Sequence, residues 1–499
     1  MRAALDVIRA ATCAFALAAV GCRTIRPDPQ EVRRATARCP GSLPDAALDS
    51  PSTHEACPLP PAVAELVRND YADEELEMPD LASLGRHARQ VPRSAFEAQL
   101  SRFIDPHGAL LGFAVVDAAA GTLRPDPLLA PDVAVPFAPE APGAPDCRGT
   151  CAGRLLPPLR PDLPYRPERR AELRALATRE RPLAGLRVVV DPGHAGGPFA
   201  AMEERRVEYR PSPAAPPLVV QEGDLTLRTA LELRARLITL GAEVALTREA
   251  PGLVHPQPLR AFRPAAVRLL GHVLLDPRYA ALERALSPPE RLRLHAALVL
   301  YAVRRQSRFE SLRQRARIAS AFRPDLVLSV HYNAGPFPTG TRAGQEIVAM
   351  VAGAHAEGRL YHPYYRWLAL EQALAPDDFG ASAHLGALCA RALSGRLGIP
   401  LAGEPRYPDH LAVRDRAGRP VGVDAWDGVL LRYLGGPAAL VEGPYMNERD
   451  ELPRLAAALA SPAGTPGTRT DEYAEALARC VQAFASRWLS SERNPFGPM

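Results

Sequence analysis

The chain has 499 residues, enough for two or three domains around a large buried core, so a mini-protein held together only by staples is excluded. Apolar residues make up 47% and charged residues 23%, both ordinary for globular chains, which argues against a wholly disordered chain or one with many membrane spans. The net charge is +4, all 60 basic residues are arginine and no compact basic block stands out, so no nucleic-acid partner is expected.

The first 22 residues set the compartment. Arg2 and Arg9 precede an apolar run from Ala10 to Val20, which closes on Ala19-Val20-Gly21-Cys22. A run this short suits a cleaved leader better than a permanent span. Small residues directly before Cys22 resemble a bacterial lipobox, although Ala19 stands where leucine is favoured and Asp6 weakens the positive leader. The expectation is a signal peptide over 1–21 of the lipoprotein type, with Cys22 lipidated as the mature N-terminus and acyl chains as the membrane anchor. An ordinary secretory signal that happens to end near a cysteine is the alternative. In either case the protein is exported. Cys39, Cys57, Cys147, Cys151, Cys389 and Cys480 then remain, an even number that suits disulfides in an oxidising compartment. The first four pairing among themselves and Cys389 with Cys480 is one arrangement, but spacing does not settle connectivity. A zinc knuckle from Cys147 and Cys151 has no second Cys/His pair nearby to complete it.

Residues 23–180 form a Pro-rich accessory region or stalk. The whole chain carries 53 prolines, roughly twice the usual ~5% share. Within this region 62–67 and 95–104 have helical patterns, the second with Ser94 and Glu97 as a capping box, and 111–116 reads as a strand. Residues 157–181 look like a linker.

From residue 185 the pattern becomes an alternation of strands and helices. Strands are expected at 186–190, 243–247, 326–330, 345–351 and 438–441, and helices at 225–240, 312–322 and 383–397, the first stopped by Gly241. This alternation predicts an α/β fold with a mixed, mostly parallel sheet flanked by helices. Two segments interrupt it: a Pro-rich loop over 195–220, and an insertion over 251–310 with helical stretches at 264–275 and 289–303. Loops this long in a packed domain are functional or disordered.

Chemistry-bearing residues fall at the ends of these elements. The first strand runs into Asp191-Pro192-Gly193-His194, and Gln221-Glu222-Gly223-Asp224 opens the next helix. A third element delivers Ser329-Val330-His331-Tyr332-Asn333, and the last strand delivers Leu440-Val441-Glu442-Gly443. Carboxyl ends of strands share one rim in such a sheet, so two histidines and two glutamates would converge there. A lone strand-end histidine is more often a structural hydrogen-bonder, and only the joint placement points to a site. Two neutral imidazoles and a carboxylate suit Zn2+ and leave one tetrahedral position open, with a further carboxylate as proton shuttle.

At these residues the chain resembles the zinc-dependent N-acetylmuramoyl-L-alanine amidases of the cell-wall hydrolase type. The similarity rests on Val188-Val189-Val190-Asp191-Pro192-Gly193-His194, on Glu222 with Asp224, Leu225 and Leu227, and on Ala245-Leu246-Thr247-Arg248. Arg315 with Ala319, the run Asp325 to Ala334, and Ala439 to Gly443 followed by Asn447 and Asp450 extend it. It covers about 185–490, and 23–180 lies outside it. The resemblance implies that His194, Glu222 and His331 are zinc ligands and Glu442 the catalytic carboxylate. It implies cleavage of the amide between N-acetylmuramic acid and L-alanine in peptidoglycan, in the periplasm of a Gram-negative bacterium and at its outer membrane. Asn333 is expected to orient substrate or a neighbouring group, or simply to form a turn. Asp191 either braces its turn or joins the site, and Arg248 and Arg315 are expected to anchor structure through ion pairs.

Departures from the family pattern open alternatives. The spacing from His194 to Glu222 is long, and 195–198 lacks the usual acidic residue, so Glu203, Glu204 and Glu208 are reserve candidates for the carboxylate ligand. Glu222 is preferred because it directly precedes the matching Asp-Leu-x-Leu helix start. Some Gram-negative members carry, near the place of the 251–310 insertion, a helix that covers the zinc until an activator protein removes it. Added core or a substrate-binding wall is the preferred reading here, with autoinhibition and an activator protein as the alternative. At the level of function, the alternatives are a non-catalytic peptidoglycan-binding protein on the same fold and another zinc amide hydrolase or deacetylase.

Overall fold

The computed structural model describes residues 27–67, 80–140, 167–210, 212–273, 275–335, 344–355, 359–360, 362–405, 407, 409–415 and 417–490. The expected signal peptide, Cys22, Cys147, Cys151 and the first part of the 157–181 linker lie outside the described residues. The chain divides into two compact units.

The smaller unit joins residues 27–67 to 257–307, so the first helices of the chain pack with the inserted segment. Helices Pro29–Ala35 and Pro51–Ala56 begin with proline at a position that needs no hydrogen-bonded N–H. Arg33 donates to Glu290 at 3.0 Å and to the Ala285 carbonyl at 2.9 Å, and the Arg260 amide donates to Asp49 at 2.9 Å. A disulfide joins Cys39 to Cys57.

In the larger unit residues 80–140 contain strands β1 (Val115–Asp117), β2 (Thr122–Arg124) and β3 (Val135–Pro136), a small antiparallel sheet that follows the helical segments. Phe96, Ile104, Leu110 and Leu123 share a core there with Ala369 and Leu370 of helix Pro363–Ala373. The helix expected over 95–104 runs from Arg93 to Gln99 and widens into a π turn over Leu100–Ile104. Ser94 does not cap it. Pro92 holds that position, and the Ser94 amide and hydroxyl both donate to Glu140. A distant carboxylate has taken the local cap's donors.

The main sheet comprises β4 (Arg187–Pro192), β7 (Glu243–Leu246), β8 (Leu326–Tyr332), β9 (Val348–Ala352), β10 (Leu411–Arg414), β11 (Pro420–Trp426) and β12 (Ala438–Gly443) in the order β10-β11-β9-β12-β8-β4-β7. The pairs β11/β9, β12/β8, β4/β8 and β4/β7 are parallel, whereas β10/β11 and β12/β9 are antiparallel. The fold is therefore α/β with a mixed, largely parallel sheet flanked by helices. The apolar runs of β4 and β8 are buried throughout because both faces are covered. One face packs on helices Glu222–Thr239, Pro376–Leu397 and Arg469–Ser490 through Leu225, Leu233, Leu393, Leu477 and Phe484. Each fully buried side chain of this kind contributes about 1.5–3 kcal/mol. The other face packs on Ala319, Phe322, Leu431 and Leu434. A disulfide from Cys389 to Cys480 ties two helices of the first layer together.

The inserted 289–303 stretch and the 312–322 helix are one continuous helix, Pro288–Phe322, because no Gly or Pro separates them. The 195–220 segment is not a plain loop either. It contains a 3-10 turn at Gly197–Phe199 and an antiparallel hairpin of β5 (Arg206–Tyr209) and β6 (Leu218–Gln221).

Candidate metal centre

Local sequence places each functional side chain at the carboxyl rim of the sheet. Strand β4 ends at Pro192, and the Gly193 amide donates to the Val330 carbonyl at 2.9 Å, which holds the turn against β8. A Cβ at Gly193 would lie 2.4 Å from the His331 ring, so glycine is what lets the two histidines approach. His194 itself has φ 53°, a left-handed conformation that turns its ring back toward the sheet. Glu222 is the first residue of helix Glu222–Thr239, where the positive end of the helix favours an anion. Gly223 lies against Gly196, whose backbone nitrogen would be 2.1 Å from a Cβ there, so this helix start can seat only glycine beside the His194 turn. Glu442 pairs with His331 across the parallel β12/β8 register and shares its face.

Under this rim, Asp191 braces the turn. Its carboxylate accepts from Arg315 at 2.8 Å, from Ser329 at 2.6 Å and from the Thr247 hydroxyl. Burial works against that charge, but the Arg315 guanidinium and the two hydroxyls outweigh it and bring the carboxyl down to about 2. Arg315 also donates to the His194 carbonyl at 2.7 Å. Arg248 acts differently from the expected ion pair: it donates to the carbonyls of Pro192, Gly193 and Gly223, tying turn and helix start together. The Tyr473 hydroxyl, 2.8 Å from the Val441 carbonyl and 3.1 Å from that of His331, locks the other strand pair.

His194, Glu222 and His331 come together: one ligand atom from each lies within 4.8 Å of the others. His194 Nε2 is 3.3 Å from Glu222 Oε2, and His331 Nδ1 is 3.1 Å from Glu222 Oε1. Tetrahedral ligands at bond lengths of about 2.1 Å stand ~3.4 Å apart, so these separations match a shared divalent cation. The rings meet edge to face, with centroids 5.0 Å apart. Donor chemistry and spacing both fit a cation such as Zn2+.

Of the reserve carboxylates, Glu203 lies 3.5 Å from His194 Nδ1 and accepts from the Ala195 amide at 2.7 Å, while Glu204 and Glu208 are exposed. A carboxylate on Nδ1 keeps the proton there and turns Nε2 inward as an electron-pair donor. The hairpin also delivers Arg205, whose carbonyl accepts from the Glu222 amide at 3.0 Å and whose Nε lies 3.3 Å from Glu222 Oε2. Sequence reasoning missed Arg205. Its only signal was the charge-rich Glu203-Glu204-Arg205-Arg206 run, which reads equally well as a solvated turn.

The electrostatics separate the two site glutamates. Burial raises the Glu222 carboxyl, but His194, His331 and Arg205 overcome this and bring it down to about 2. Burial pushes Glu442 up to about 7, with His331 opposing and Glu222 adding to the rise. Burial lowers His194, whereas at His331 the Glu222 hydrogen bond and the Glu442 charge outweigh burial and raise it. A carboxylate poised near neutrality beside a cluster of metal-ligand type can accept and return a proton at physiological pH. Asn333 lines the same cavity of about 440 Å³, and its Oδ1 accepts from the Ala334 amide at 2.8 Å, so it also forms its turn.

No protein-family model and no curated protein matches the chain. Among solved structures it is similar to the apo form of the N-acetylmuramyl-L-alanine amidase Ami1 from Mycobacterium abscessus, at 15% identity over 60% of this chain and 99% of that one, with a TM-score of 0.33. It is similar to the CwlD amidase from Clostridioides difficile, solved in complex with the GerS lipoprotein, at 16% identity over 60% and 99% with a TM-score of 0.33. It is also similar to the N-acetylmuramoyl-L-alanine amidase AmiC2 of Nostoc punctiforme, at 16% identity over 60% and 98% with a TM-score of 0.31.

Proposed function

We propose that this chain is a zinc-dependent hydrolase that cleaves the amide between N-acetylmuramic acid and L-alanine of peptidoglycan. The observation that carries the reading is the convergence of His194, Glu222 and His331, with Glu442 in register beside His331 and with His194, Glu222 and Glu442 lining one cavity. Sequence motifs over 185–490 supply the substrate class.

His194, Glu222 and His331 would hold the metal. A zinc ion held there supplies a Lewis acid and lowers the pKa of water toward neutrality. Glu442, whose carboxyl sits near pH 7, takes the proton from the attacking water and returns it to the leaving amine. Glu203 keeps the proton on Nδ1 of His194, so that Nε2 stays aimed at the ligand cluster. Arg205 places positive charge beside the site, where a carbonyl oxygen would become an oxyanion. Asn333 lines the cavity with its amide nitrogen as a donor for substrate.

In this reading 185–490 is the catalytic domain and 251–310 its insertion. The chain is exported to the periplasm, is anchored to the outer membrane through lipid on Cys22, and acts on peptidoglycan. Two disulfides among the described residues support an oxidising compartment. The test is product analysis by mass spectrometry after incubation with purified sacculi. Free stem peptides beginning with L-alanine support the reading. Binding without release would make the chain a wall-binding protein, and acetate or internally cut peptides would assign another zinc hydrolase chemistry.

A further inference from the structure

The electron pairs that would bind the metal already have a user. His194 Nε2 accepts a hydrogen bond from the Arg205 Nε–H at 3.3 Å, and the same Arg205 nitrogen lies 3.3 Å from Glu222 Oε2. With Glu203 on Nδ1, the neutral ring of His194 has one in-plane electron pair left, on Nε2. That pair can accept one N–H or bind one metal ion, not both. Distance gives the same answer. His194 Nε2, Glu222 Oε2 and Arg205 Nε stand 3.3 Å from one another, so an ion about 2.1 Å from the first two would lie within roughly 4 Å of the guanidinium. Like charges that close in a buried site repel strongly.

The chain between the two ligands sets the arginine there. The Arg205 amide donates to the Ala200 carbonyl at 2.8 Å, and its carbonyl accepts from the Glu222 amide at 3.0 Å, so its backbone is pinned on both sides. Its side chain has room to move. It is 32% exposed and lines the cavity, and its one other hydrogen bond among the described residues, from Nη1 to the Glu204 carbonyl, is long at 3.4 Å. Glu222 is buried, and among the described residues Arg205 is the one arginine in ion-pair range of it. A buried carboxylate needs a cation beside it, and here that cation is either the guanidinium or a metal.

We propose that Arg205 is a displaceable internal cation: it holds His194 and Glu222 while no metal is bound, and zinc binds only as the guanidinium swings off both ligand atoms into the cavity. This rests on the assignment of the metal ligands, and not on the choice of substrate. Once displaced, the N–H groups of Arg205 are free for a substrate oxygen.

Zinc titration of the EDTA-stripped full chain against a competing chelator tests it, in wild type, Arg205→Met and Arg205→Lys, with melting temperature as a second readout. Arg205→Met, which keeps the length and loses the charge, should bind zinc at least about tenfold more tightly than wild type, and Arg205→Lys should stay nearer wild type. Structural damage would weaken zinc binding, so tighter binding is the diagnostic sign. Stripped Arg205→Met should melt below stripped wild type, and saturating zinc should close that gap. Crystal structures of the wild type should show Arg205 Nε on His194 Nε2 without zinc and off both ligand atoms with it. Equal or weaker zinc binding by a folded Arg205→Met overturns the proposal, as does zinc bound in wild type with Arg205 still hydrogen-bonded to His194. If Arg205→Met does not fold, the wild-type structures decide. Zinc uptake by Arg205→Met alone supports displacement, whereas zinc uptake by neither protein removes the ligand assignment and the proposal with it. The predicted difference in zinc affinity, in a chain that releases no stem peptide, keeps the proposal and removes the amidase reading.

Discussion

Glu442→Gln should slow turnover by orders of magnitude and at the same time stabilise the metal-free protein. The carboxyl rises from an ordinary 4.5 to about 7 in the folded chain, chiefly through burial. At 1.36 kcal/mol per pKa unit, the ionised group costs the fold about 3 kcal/mol at most. Glu442 keeps some solvent contact, which reduces the figure to about 1–3 kcal/mol. The sign follows from linkage. With the folded value above the unfolded one, wild type keeps full stability below pH 4.5 and loses it as pH rises through about 7. A neutral amide of the same shape escapes that loss. Urea unfolding in excess EDTA, from pH 4 to 8.5, should show no gap between variant and wild type at pH 4 and the full gap by pH 8. Tryptophan fluorescence is a clean reporter, because Trp367, Trp426 and Trp488 all lie in the larger unit. With zinc restored, kcat should fall by about 10²–10⁴ while zinc content is unchanged. A variant less stable than wild type at pH 8, a gap independent of pH, or retained turnover would refute the reasoning.

Other perturbations probe the supports of the site. Glu203→Gln removes the carboxylate on His194 Nδ1, and zinc affinity measured by competition with a chelator should fall about 10–100-fold with little change in melting temperature. Arg315→Ala leaves the buried Asp191 charge without its ion-pair partner and should destabilise the larger unit by about 3–5 kcal/mol in urea. Because the Asp191 carboxyl is depressed to about 2, the wild-type contribution should persist above pH 4 and fade as acid approaches pH 2. Reduction of Cys389–Cys480, with a sequence separation of 91, should lower stability by about 4–5 kcal/mol through freed chain entropy, read as a lower melting temperature in reductant.

The sequence carried the sheet and its rim because both are locally encoded. Strands β4, β8 and β12 are continuous apolar runs, and each ends in a polar residue or tight turn that marks the carboxyl edge. Glu222 was legible for the same reason, as a carboxylate at the start of a strongly periodic helix. Hairpin β5/β6 was not. Its strands have four residues each, and four prolines from Pro211 to Pro217 made the segment read as loop, although the pairing Arg206 to Gln221 is what sets Arg205 beside Glu222. Hairpin β10/β11 was missed as well, and with it the His410–Asp424 pair of the cavity wall, since contact across a sheet has no fixed spacing in the chain. Ser94 is no cap because the helix begins one residue earlier, at Arg93, and the Ser94 amide and hydroxyl donate to Glu140, 46 residues away. Packing of residues 27–67 with 257–307 was equally out of reach, because it depends on side chains more than two hundred residues apart.

The ligand set is tested most directly by metal stoichiometry and X-ray absorption on the purified chain. The account predicts one zinc per chain, with two nitrogen and one oxygen ligand from protein at about 2.0–2.2 Å, and loss of that zinc in a His194→Ala, His331→Ala double variant that keeps its melting temperature within a few degrees. Stoichiometric zinc retained by that variant, or sulfur ligands in the absorption spectrum, would contradict it.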